Sequence, residues 1–290
     1  MSENRGKKLI DSLKRKGESL EAEMSFFDHL EVLRWHLIRS CIAIVVFTGV
    51  AFSYYDFIFD KIILGPKSAD FWTYQFMCGL AERFNLGADY CIKDINFNII
   101  NTEMAGQFTL QINSSLLMGL VLGFPYLLYE VWRFVKPGLT DKERTSASGF
   151  VFYATMLFIL GILFGYYVIA PLSITFLANY TVSSVIQNQI TIDSYLSSVA
   201  TLTLGSGIVF ELPILIFILS KIGIMTPAFM RSSRRYSSVI ILIIAAVITP
   251  TPDILTMLTV SFPLFILYEI SIMISARVER NREKALMSRD

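Results

Sequence analysis

Histidine is almost missing from this 290-residue chain. The two present, His29 and His36, both precede the first long apolar run. No imidazole is therefore placed to act as the base of an intramembrane Ser–His hydrolase or to ligate a metal inside a bilayer. A Walker-type phosphate loop is also lacking, which sets aside ATP-driven transport by this chain. No cleavable signal peptide is recognisable: a long charged segment precedes the first apolar run, which should stay as an anchor. Internal repeats, direct or inverted, are not visible. Only 17% of residues are charged, far from a soluble composition. No catalytic residue, cofactor, metal or nucleic-acid partner is expected.

What the chain has instead is apolar length, with 54% hydrophobic residues. Six stretches read as membrane spans: Leu37–Tyr54, Phe108–Tyr129, Ser148–Ala170, Ser194–Ser220, Ser233–Ile248 and Ile254–Ile274. A helix needs about 20 residues to cross a hydrocarbon core about 30 Å thick. The fifth stretch reaches only about 24 Å at 1.5 Å per residue, so it must thin the bilayer or lean on its neighbours. The fold class expected is all-α, a polytopic integral membrane protein of six transmembrane helices. Of the 25 Lys and Arg, only Lys61, Lys67, Arg83 and Lys93 fall on one side of these spans. The positive-inside rule then puts both termini in the cytoplasm.

Three segments follow from this layout. Residues 1–23 read as a charged, disordered cytoplasmic extension, residues 24–275 as the membrane domain, and residues 276–290 as a charged cytoplasmic tail. Phe26, Phe27, Leu30, Leu33 and Leu37 recur at helical spacing and read as an amphipathic helix at the inner interface. The outer loop, residues 55–104, carries Phe71, Trp72 and Phe84 and reads as a partly folded cap against the membrane surface. Cys78 and Cys91 lie in it and face an oxidising compartment, where they form a disulfide or remain two thiols. Cys41, in the first span, reads as a small core residue.

Few side chains within this frame can carry chemistry. Glu211 lies mid-span in Phe210-Glu211-Leu212-Pro213. An ionised carboxylate there costs a few kcal/mol or more, so it is protonated, paired or wet. Pro213 deprives a carbonyl near Val209 of its donor and favours local unwinding that admits water or a ligand. The alternative is a neutral Glu211 bonded to a neighbouring helix. Glu269 in the sixth span reads equally as a polar contact or a structural hydrogen bond. In the inner loop, Thr140 and Glu143 fit a capping box, which by itself explains Glu143. On composition and spacing alone, a proton-coupled secondary transporter using Glu211 ranks first, and a scaffold without recognition chemistry is a further reading.

Four motifs taken together change that ranking. They are His29-Leu30-Glu31-Val32-Leu33-Arg34, Phe134-Val135-Lys136-Pro137-Gly138-Leu139 running into Lys142-Glu143-Arg144, Phe210-Glu211-Leu212-Pro213, and Thr249-Pro250-Thr251-Pro252-Asp253. In this order the chain resembles the TatC family, the polytopic subunit of the twin-arginine protein translocase, over roughly residues 24–275. The resemblance implies a receptor in the bacterial inner membrane for folded precursors whose signal peptides carry adjacent arginines. It also implies single-span TatA- and TatB-type partners, lipid surroundings, a homo-oligomer as one possible assembly, and transport driven by the proton-motive force. The family's signal-binding acid falls on Glu143, flanked by Lys142 and Arg144, with Phe134 and Arg34 also matching. The family's second acid falls on Val32, and the acid present is Glu31, about 100° away on a helix. His36 stands where the family often has Arg. Glu211 matches the polar residue of the fourth span and Asp253 the acid of the outer side. A guanidinium offers carboxylates a planar fork that lysine lacks, so an acidic site explains a preference for arginine.

Overall fold

The computed structural model of the chain describes residues 26–84, 97–136, 149–183, 188–249 and 253–287. Helix α1 (Phe26–Ser53) opens it as one unbroken rod. It contains no proline, and its first glycine is Gly49. The amphipathic segment and the first span therefore run together, with nothing between them to end a helix. Helix α2 (Trp72–Phe84) and strand β1 (Asn98–Ile100) follow on the outer connection, then α3 (Gly106–Val135). The third span is α4 (Phe150–Phe164), a π turn over Gly165–Ile169, and α5 (Ala170–Asn179). Strand β2 (Gln189–Thr191) leads into α6 (Ile192–Phe210) and α7 (Leu212–Ile222). A short α8 (Pro227–Ser232), then α9 (Arg234–Ile248) and α10 (Ile254–Met287), complete the chain.

Five helical stretches are long and apolar enough to cross a membrane: Glu31–Ser53, Gly106–Val135, Phe150–Asn179, Ile192–Ile222 and Thr256–Asn281. Helix α9 is the sixth span. Its 15 residues reach only about 22 Å, as its short apolar run predicts. The third span outruns its apolar stretch, which ends at Ala170, by about two and a half turns. Pro171 sits in the first turn of α5, where its missing N–H costs little, and Ser173 and Ile174 are buried there. The fold is thus a six-span helical membrane bundle. Its two ends differ: one carries the start of α1, the α3–α4 and α7–α9 connections and the end of α10, and is the basic end. The other carries α2 and the two strands and is the capped end.

Small residues set the helix approaches, as is usual where no hydrophobic force separates helix from lipid. Helices α1 and α3 run antiparallel, with Gly119 against Thr48 and Gly123 against Ile44. Gly161 and Gly165 meet the Gly207 and Thr203 backbones of α6 in the same manner. Helices α7 and α10 run parallel, joined by a Ser220–Ser275 hydroxyl pair at 2.8 Å. Helix α10 passes through Ser275 without interruption, so the tail expected from residue 276 begins as part of this helix.

At the capped end, the outer connection is tied down by phenol and hydroxyl groups. The Tyr166 hydroxyl donates to the Ile62 carbonyl at 2.5 Å and the Tyr195 hydroxyl to the Ile63 carbonyl at 2.9 Å. Thr73 donates to the Tyr167 carbonyl, and Tyr74 to the Pro66 carbonyl at 2.8 Å. Burial pushes the Tyr74 phenol up to about 12, so it stays a donor at neutral pH. Phe71 stacks on Tyr167 at 5.4 Å. Strands β1 and β2 pair in parallel, Asn98 opposite Gln189, and stitch the outer connection to the start of α6.

Candidate functional site

The α1–α3 seam controls the basic end. Its antiparallel register continues from Gly119–Thr48 and Gly123–Ile44 to His36, whose Nδ1 is bonded to Glu130 Oε2. Phe134 lies one turn further, its ring edge-on to His36 at 6.1 Å. Extending this register brings the Glu31–Arg34 turn of α1 alongside the Phe134–Lys136 end of α3. Glu31 and Arg34 are exposed there, Phe134 is half-buried, and the connection bearing Glu143 departs from this point. Lys142, Glu143 and Arg144 lie outside the described residues.

Glu130 is the functional candidate that sequence reading passes over. It is 2% exposed. The Tyr126 hydroxyl donates to its Oε1 at 2.8 Å, and Arg39 Nη1 stands 3.6 Å from Oε2. A buried carboxylate needs such partners, because removing a charge from water costs several kcal/mol. The signal available in the sequence is an acid adjoining an apolar run. The second apolar run ends at Tyr129, but the helix continues to Val135, which puts Glu130 inside the span.

Glu211 occupies the break in the fourth span. Helix α6 stops at Phe210 and α7 starts at Leu212. The Glu211 N–H turns back to the Ile208 carbonyl at 3.1 Å, a tightened three-residue step. Buried Pro213 lies in the first turn of α7, where proline is best tolerated. Both Glu211 carboxyl oxygens are buried with no hydrogen-bond partner among the described residues. The helix is thus interrupted next to Pro213, by a tightened turn rather than the unwinding expected, and the interruption sets a polar group with unused bonding capacity in the bundle interior.

The remaining candidates are dispersed. Glu269 does not share the Glu211 environment: it pairs with Arg234 at 2.8 Å, both side chains about half exposed, at the basic end. Asp253 serves the capped end as an N-cap. Its Oδ2 accepts from the Thr256 N–H at 2.9 Å and from the Thr256 hydroxyl at 2.7 Å. Cys78 is disulfide-bonded, and Cys91 lies outside the described residues. Cys41 is exposed on α1, on a face open to the surroundings of the bundle rather than in a core.

Comparison with known proteins places this arrangement. The family described as Sec-independent protein translocase protein (TatC) matches residues 28–263. A Sec-independent protein translocase protein TatC of Blattabacterium sp. subsp. Periplaneta americana is 37% identical, over 90% of this chain and 98% of that one. A second, from Koribacter versatilis, is 34% identical over 90% of this chain and 89% of its own length. A crystal structure of the twin arginine translocase receptor TatC has a TM-score of 0.64 at 30% identity, covering 87% of this chain and 99% of that one.

Proposed function

The chain belongs to the TatC family of Sec-independent protein translocase proteins, and from that premise we propose that it is the signal-peptide receptor and core subunit of a twin-arginine translocase. It sits in a bacterial inner membrane with both termini in the cytoplasm, so the basic end meets arriving precursors. Residues 24–275 form the membrane unit. Adjacent arginines of a folded precursor's signal peptide bind acidic groups at this end, Glu143 first among them. Glu31 and Arg34 border the site, Phe134 supplies an apolar wall, and Lys142 and Arg144 repel weakly matched cations.

The observation that carries this reading is the α1–α3 seam. It gathers the exposed Glu31–Arg34 turn and the Phe134–Lys136 root of the Glu143 connection onto one end of one helix pair. A planar guanidinium makes two parallel bonds to a carboxylate, and an ammonium cannot. The apolar part of the signal peptide then passes along the bundle toward Glu211. The Glu211 carboxyl, without a hydrogen-bond partner among the described residues, accepts a polar group from a TatA- or TatB-type single-span subunit. The proton-motive force drives transport, with no nucleotide hydrolysed by this chain.

Binding of Arg-Arg and Lys-Lys signal peptides to the purified protein, wild type and Glu143→Gln, tests the proposal. The expected result is an Arg-Arg preference in wild type that disappears in Glu143→Gln while the fold persists. If wild type does not discriminate, the receptor reading fails. Substrate-dependent proton flux in vesicles holding only this protein would favour a secondary transporter in its place.

A further inference from the structure

We infer that Glu130 is a second arginine-binding carboxylate, occupied at rest by the protein's own Arg39. The inference deepens the proposed receptor reading and rests on it. Two adjacent residues of an extended segment project to opposite sides, so a pair of arginines reaches two separate places. One carboxylate on a connecting segment does not serve both. Glu130 lies six residues before Lys136 in α3, about 9 Å along the axis. That puts it below the rim from which the Glu143 connection departs, on the seam between α1 and α3.

Its surroundings suit exchange of one guanidinium for another. Oε1 is taken by the Tyr126 hydroxyl, and Oε2 by His36 Nδ1. Arg39 approaches Oε2 only to 3.6 Å, beyond the roughly 2.7–2.9 Å of a charge-assisted hydrogen bond. The Arg39 side chain is 41% exposed, so its guanidinium is free to leave Glu130 and snorkel toward the basic end. An incoming guanidinium replaces one positive charge by another, and the buried carboxylate is never left unpaired. An incoming ammonium lacks the planar fork of a guanidinium, so the same exchange discriminates against lysine. His36 and Tyr126 hold the acceptor in place and stay bonded throughout.

The test uses the full chain in lipid nanodiscs with four signal peptides, Arg-Arg, Arg-Lys, Lys-Arg and Lys-Lys, against wild type, Glu130→Gln and Arg39→Gln. Glutamine at 130 keeps an acceptor for Tyr126 and removes the charge. Glu130→Gln should lose tenfold or more in affinity for Arg-Arg and for one mixed peptide, with little change for the other two. Arg39→Gln should tighten binding of those same two peptides severalfold, because the carboxylate is vacated. Equal weakening of all four peptides by Glu130→Gln makes Glu130 a strut of the seam and overturns the inference, with the receptor reading intact. If Glu130→Gln does not fold, Arg39→Gln decides alone: tighter Arg-Arg binding supports the inference, and unchanged or weaker binding overturns it. A wild type that binds all four alike overturns the receptor reading and the inference with it.

Discussion

Gly119→Ala should loosen the α1–α3 seam, and the structure sets the size of the effect. A methyl at Gly119 would stand 2.2 Å from Thr48 Oγ1 and 2.7 Å from the Thr48 Cα and N. Backbone atoms cannot step aside, and the Thr48 hydroxyl is held on the Ile44 carbonyl at 2.8 Å. Ordinary carbon contacts lie at about 3.5–4.0 Å, so the helix axes must part by about 1 Å. A gap of 0.5–1 Å forfeits roughly a quarter to a half of each dispersion contact. Overpacking of this kind costs about 1–3 kcal/mol, offset by up to about 1 kcal/mol of helix propensity gained by alanine. The net expectation is a loss of about 1–2 kcal/mol. Thermal unfolding in a single detergent measures it, with Gly49→Ala as control, since a methyl there meets nothing within 4 Å. Gly123→Ala should fall between the two, its nearest neighbour being the Ile44 Cγ1 at 3.2 Å. Equal melting of Gly119→Ala and Gly49→Ala would refute the reasoning that backbone proximity governs this seam.

Glu211→Leu should raise thermal stability while abolishing capture of a single-span partner, because both carboxyl oxygens are buried without a hydrogen-bond partner among the described residues and such groups cost about 1–3 kcal/mol. A variant less stable than wild type would show that the carboxyl is already satisfied. Asp253→Ala should cost about 1 kcal/mol through loss of the Thr256 cap, with Asp253→Asn recovering most of it. Chemical unfolding of the three proteins checks this, and a null effect of Asp253→Ala would remove the capping role.

Hydropathy is a local signal, and it reads local things well. It finds the six spans, the shortness of α9 and the break that Pro213 imposes after Glu211. It cannot tell where a helix ends when nothing stops it. That is why α1 absorbs the segment before the first span and why α3 runs past Tyr129. Glu130 escapes notice for a related reason. Its partner His36 is 94 positions away, and a charge paired across helices leaves no mark in either flanking sequence. Asp253 is a different case: position alone marks the acid, and only the geometry shows that it caps a helix. Lys142, Glu143 and Arg144, matched through the inner-loop motif, lie outside the described residues.

The seam between α1 and α3 has a bearing on how the protein is made. Glu31–Ser53 is the least buried of the five long spans, at 11%, and its principal neighbour is the next span to leave the ribosome. Chains assemble from the N-terminus onward, so these two can pair as a hairpin while the later helices are still being synthesised. Arg39 and His36 then reach the membrane ahead of Glu130, and the acid arrives to find its counter-charge in place. The costliest side chain of the second span is thereby neutralised early in biogenesis, before the bundle that encloses it exists.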